Sequence, residues 1–104
     1  MSSVPKFSNR TAIQVDRLLS TLGESWRAAK YMPVIGWEVG FDKDFVAGPV
    51  LGLHEADLIP KHLQVECYGL RIAYNIPDRV MKTLHSSVLD FDGKRFLFVQ
   101  DEEN

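Results

Sequence analysis

Between residues 8 and 41 the apolar residues change their period. In SNRTAIQVDRLLSTLG, residues 8–23, Val15, Leu18, Leu19 and Leu22 recur at i, i+3, i+4 and i+7, with Ala12 one turn earlier. That is the spacing of one face of an α-helix. After Pro33, in VIGWEVGF, Ile35, Trp37, Val39 and Phe41 alternate with Gly36, Glu38 and Gly40, the spacing of a β-strand. A chain that buries a helical stripe and an alternating strand face in one core is an α+β domain, with helices packed against a sheet.

The remaining segments fill in that class. Ser8 is placed to cap the first helix, or Thr11 with Gln14 as its capping-box partner, and Gly23 suits the left-handed position past its end. Asp16, Arg17 and Ser20 then face water. ESWRAAKYM, residues 24–32, reads as a short helix or a tight connection stopped by Pro33. The glycine side of VIGWEVGF is expected to let another element approach closely. DKDFVAG reads as a loop, PVLGL as a second short strand and HEADLIPKH as a polar, proline-broken connection.

From Leu63 the alternation resumes. Leu63, Val65 and Cys67 share one side of a strand, and a turn at Tyr68 and Gly69 leads into the strand LRIAY. Asn75 to Leu84 reads as a short helix with Pro77 in its first turn and an apolar stripe of Val80, Met81 and Leu84. VLDFDGKRFLFV, residues 88–99, places Asp92-Gly93 between two apolar runs, which predicts a hairpin with a type I′ turn. The expected fold is a small mixed or mainly antiparallel sheet with an N-terminal helix and a short helix before the C-terminal hairpin.

At 104 residues the chain is expected to form a single domain, with residues 1–6 and 101–104 as loose ends. Hydrophobic residues make up 45% and charged residues 25%, the composition of a folded globule rather than a disordered chain. A formal charge of -2 with both signs scattered offers no basic stripe for phosphates, so no nucleic-acid partner is expected. One cysteine forms no intramolecular disulfide, and MSSVPKFSNR lacks the apolar core of a secretory signal, which makes the cytoplasm the expected compartment. Charged or polar residues interrupt every apolar run, so no membrane span is expected.

Sites of known chemistry are scarce. Neither GxGxxG nor GxxxxGK[ST] occurs, and no HExxH or CxxC spacing accompanies the histidines or Cys67. Cys67 shares its strand face with Leu63 and Val65, and no Lys or Arg on that face would activate it, so it reads as a small apolar filler. His54, Asp57 and His62 read as solvated loop residues. An alternative reading is a small metal-binding or enzymatic protein using His54, Asp57, His62 or Cys67, which requires these side chains to converge. Phe96 and Phe98 share one face of the last strand while Leu97 and Val99 share the other. That strand is therefore either covered on both sides or carries an interaction surface, for which Trp37, Phe96 and Phe98 are the candidates.

The motif order of the second half resembles the HesB/IscA type, the A-type iron-sulfur carriers. Val65, Gly69, Leu70 and Ile72 match that family's hydrophobic-glycine hairpin, Ser87, Leu89, Asp90 and Phe91 match its following strand, and Phe96 and Phe98 match its Phe-x-Phe strand. The resemblance implies a HesB-like scaffold. It does not bring the family's chemistry, because the ligand cysteines, one in a loop after the first strand and a Cys-Gly-Cys near the C-terminus, are absent from DKDFVAG and DEEN. The expectation is a non-enzymatic binding or assembly module without cluster, metal or other cofactor, acting on a protein partner or as a homodimer.

Overall fold

The structure is a computed structural model that describes residues 4–28, 30–38, 48–84 and 86–100. It is an α+β fold in the order β1 (Lys6–Phe7), α1 (Asn9–Thr21), α2 (Ser25–Ala28), β2 (Tyr31–Glu38), β3 (Gly48–Glu55), β4 (Gln64–Cys67), β5 (Leu70–Asn75), α3 (Asp78–Met81), β6 (Ser87–Phe91) and β7 (Phe96–Gln100). Two 3-10 turns, Ala56–Leu58 and Lys61–Leu63, join β3 to β4. The strands form two sheets rather than one, ordered β1-β6-β7 and β3-β2-β5-β4. Pairing is antiparallel except for β1 with β6 and β2 with β5.

The sheets face each other across a shared core. Ile35, Ile72 and Tyr74 from the larger sheet meet Phe7, Leu89 and Phe96 from the smaller one, while Ala12, Val15 and Leu19 of α1 close the same cluster. At the margins β7 lies against β3 and β1 against β4. The outer face of the larger sheet carries a second, smaller cluster, Met32, Val34 and Ala73, partly covered by Ala56 and Ile59. This is why β2 is buried on both sides at Val34 and Ile35, although only the Ile35 side shows in the alternation.

Ser8 caps α1, its hydroxyl accepting from the Thr11 amide at 3.2 Å, and Gly23 takes a φ of +72° beyond the helix. Leu18 and Leu22 do not join the buried stripe: they are exposed, and Thr11 is buried instead. The cause lies at the helix start, where the Thr11 hydroxyl donates to the Leu89 carbonyl at 2.9 Å and the Ser8 amide donates to the same carbonyl at 2.9 Å. These bonds turn Thr11, Ala12, Val15 and Leu19 inward, leaving Leu18 at the stripe's edge and Leu22 past the last turn.

Four further expectations need correction. Residues 4–6 are tied down: Val4 and Pro5 are buried, and Lys6 pairs with Val88. HEADLIPKH is not all connection, because His54 and Glu55 continue β3 opposite Met32 and Tyr31, and Leu63 stands in a 3-10 turn ahead of β4. Gly36 admits no close neighbour, since an added Cβ would meet only ordinary contacts, Val50 Cγ2 at 3.7 Å and the Asn75 carbonyl at 3.9 Å. Asp92-Gly93 does not form a two-residue turn. The strands pair Phe91 with Phe96 and Leu89 with Phe98, leaving a loop of Asp92, Gly93, Lys94 and Arg95. A two-residue turn would set Phe91 opposite Lys94, whereas the observed register stacks Phe91 and Phe96 with ring centroids 5.1 Å apart. Residues 1–3, Val39, Phe41, most of DKDFVAG, His85 and residues 101–104 lie outside the described residues.

Candidate functional site

Helix α1 runs between the ends of two hairpins. Tyr68, Gly69 and Leu70 of the β4–β5 turn stand on one flank, and Phe91, Asp92 and Gly93 of the β6–β7 loop on the other. Its inner stripe is spent on the core, so what it presents outward comes from the remaining positions. Arg10, Ile13, Gln14 and Arg17 are spaced i, i+3, i+4 and i+7, which puts them on one flank. That flank and the β6–β7 loop line an open cleft of about 290 Å³. A second cleft, about 350 Å³, lies on the Tyr68 side, and Ile13 forms the ridge between the two.

Asp90 anchors the Arg10 side of the first cleft. Its Oδ1 accepts from the Ser8 hydroxyl at 2.7 Å, Arg10 Nε at 3.2 Å and the Phe91 amide at 2.9 Å, while its Oδ2 accepts from Arg10 Nη2. Burial works against the charge on Asp90, but the hydrogen bonds from Ser8, Arg10 and Phe91, with the guanidinium's charge, outweigh it and hold the carboxyl below its ordinary value. The guanidinium of Arg10 is thereby fixed at the cleft's edge while its side chain remains 68% exposed. Across the cleft, Asp92 Oδ1 accepts from the amides of Lys94 and Arg95, both at 2.9 Å. Those two bonds, Arg95 first, lower the Asp92 pKa.

Two apolar side chains stand out beside these charges. Ile13 is 51% exposed and Tyr68 66% exposed, although the Tyr68 ring keeps a tilted contact with Phe7 at 6.5 Å. Tyr68 also holds a φ of 55°, a left-handed conformation that costs a side-chain-bearing residue roughly 1–2 kcal/mol.

The residues singled out from sequence lie elsewhere. Phe96 is buried, and Trp37 and Phe98 are half-buried and packed on the core, their rings 6.4 Å apart. His54 is exposed near the end of β3, Asp57 on the first 3-10 turn and His62 on the second, while Cys67 is half-buried on β4 against the core. The convergence that a site built from these four requires is not formed: among the described residues, no three His, Cys, Asp or Glu side chains gather where an ion could bind. Tyr74, fully buried, has its pKa pushed up by burial first and by its electrostatic coupling to Cys67 second, and its hydroxyl donates to the Pro5 carbonyl at 2.9 Å.

The α1 flank was missed because Ile13 falls off the apolar stripe and looks like noise in the helical pattern. Nothing local shows that Arg10 will meet a carboxylate 80 residues away. No protein-family model matches the chain, and no curated protein is significantly similar to it.

Proposed function

We propose that this domain is a non-enzymatic binding module that engages a protein partner through the outward flank of α1 and the turns beside it. The observation that carries this reading is the exposed Ile13, set between two clefts with Tyr68 on one side and Arg10 and Arg17 on the other. Aromatic and arginine side chains around a small apolar centre are the residues that dominate binding energy at protein interfaces. The resemblance to the HesB/IscA type supports the same reading from the sequence side, as a scaffold without the ligand cysteines, working in the cytoplasm and without a cofactor.

Affinity capture followed by titration of the purified partner tests the reading. Ile13→Asp and Tyr68→Asp are expected to weaken binding about tenfold or more, the effect of losing one interface anchor. Glu66→Lys, on the outer face of the larger sheet, is expected to leave it unchanged. Both exposed sites tolerate the change without opening the core, and circular dichroism checks that. A partner held equally well by Ile13→Asp and Tyr68→Asp overturns the reading. The cofactor-free part is tested by anaerobic reconstitution with iron and sulfide, where a stable visible chromophore lost in Cys67→Ser would refute it.

A further inference from the structure

We infer that the cleft between α1 and the β6–β7 loop recognises an acidic peptide segment in which a carboxylate lies beside an apolar side chain; this rests on the binding-module reading and assigns the partner's chemistry. The cleft combines two kinds of surface. Ile13 on the ridge and Phe91 from the loop supply apolar surface, and Arg10, Gln14 and Arg17 stand along one wall as donors. A guanidinium carries five N–H donors, and Asp90 uses only Nε and Nη2 of Arg10, so donors remain for a ligand on a group whose position is already set. Arg17 lies two turns further on, about 10 Å along the axis. Among the described residues neither Arg17 nor Lys94 is in an ion pair.

Of the two carboxylates nearby, one is neutralised by an arginine. Asp90 is saturated by Ser8, Arg10 and the Phe91 amide, whereas Asp92 keeps its charge in the lining, with Oδ1 bonded to the amides of Lys94 and Arg95. In the lining, Arg17 is unpaired among the described residues and Arg10 keeps free donors, and Lys94 and Arg95 stand in the adjoining loop; these cations outnumber Asp90 and Asp92 and make this flank complementary to an acidic partner. Size favours a peptide over a cofactor: about 290 Å³, open to solvent, is at the lower limit of the small-molecule range of roughly 300–1,000 Å³. It suits one side chain and its neighbouring carboxylate.

The probe is a phage-displayed random peptide library selected on the full chain, with enriched peptides then titrated by fluorescence anisotropy. The expected result is enrichment of Asp or Glu next to Leu or an aromatic residue, and affinity that falls with added salt. Arg17→Glu should weaken these peptides about tenfold, Arg17→Gln should do so less, and exchanging the peptide's acidic residue for Lys should restore binding to Arg17→Glu. Peptides that lose binding in Ile13→Asp but show no acidic preference and no response to Arg17→Glu would overturn this inference and leave the module reading intact. Peptides indifferent to Ile13→Asp would overturn both. Competition by inorganic phosphate or a single-stranded oligonucleotide as effective as the peptide's own would also overturn it, marking a general anion site.

Discussion

The β4–β5 hairpin reverses in two residues and the β6–β7 hairpin in four, although only the second carries the Asp-Gly dipeptide of a two-residue turn. In the first, Tyr68 and Gly69 take φ of 55° and 76°, so the tight turn is made with a tyrosine in a left-handed conformation. In the second, only Gly93 is left-handed, at 101°, and Asp92 builds the loop by accepting from two amides. In each hairpin the loop length follows from the cross-strand partners. Val65 meets Ile72 and Cys67 meets Leu70 across one turn, while Leu89 meets Phe98 and Phe91 meets Phe96 across the other. A dipeptide's preference is local and small, whereas a change of register displaces every apolar pair against the core.

Because both hairpins face one core, the largest effects should be equal on the two sides. Ile72 and Leu89 are both fully buried, and Ile72→Ala and Leu89→Ala should each cost about 2–5 kcal/mol in urea unfolding. Both should move a single transition seen alike by tryptophan fluorescence and circular dichroism. Two separate transitions in Leu89→Ala would break the comparison, showing that the sheets unfold independently.

Next comes the lock that only the β6–β7 side has. Asp90→Asn keeps the shape but loses the charge, and should cost about 1–2 kcal/mol at neutral pH, allowing for the exposure of Arg10. Folding lowers the Asp90 pKa, so the ionised carboxylate is the stabilising form. Its contribution is complete above the ordinary carboxylate range and fades as the pH falls through the lowered folded value. The loss of stability from neutral to acidic pH should therefore be shallower in Asp90→Asn than in the wild type, as urea midpoints across that range will show. An unchanged acid slope would mean that other carboxylates govern it.

Much of this was legible along the chain. The helix, with Ser8 as one of its two cap candidates, the four strands of the larger sheet, the short α3 and the two strands of the final hairpin follow from the apolar period, though the hairpin's turn does not. What escaped depends on partners far apart in sequence. Strand β1 is two residues long and exists because β6 accepts it as a parallel neighbour. The burial of Thr11 and the Arg10–Asp90 pair arise from the same long-range docking of residues 6–11 on 88–90. The candidate site was hidden for a related reason: a helix with one face buried says little about which flank the neighbouring turns will enclose.

The glycines of the two turns test the backbone side of the comparison. Gly69→Ala and Gly93→Ala should each cost about 1–2 kcal/mol, since both positions need a left-handed residue and neither has a neighbour that an added methyl would clash with. A null effect at Gly93 alone would show that the four-residue loop can relax where the two-residue turn cannot.

The smallest effect is the most informative about function. Asparagine tolerates the left-handed region better than tyrosine, so Tyr68→Asn should relieve about 1 kcal/mol of strain while losing about 0.5 kcal/mol from the Phe7 ring contact. A net gain of about 0.5 kcal/mol is expected, read as a higher urea midpoint with an unchanged slope. If Tyr68 is kept for binding, the same variant should hold the partner more weakly while folding more stably, because strain that persists at an exposed side chain points to a role outside the fold. A variant that is destabilised instead would place the Phe7 contact above the backbone strain, and Tyr68 would then be a packing residue of the turn.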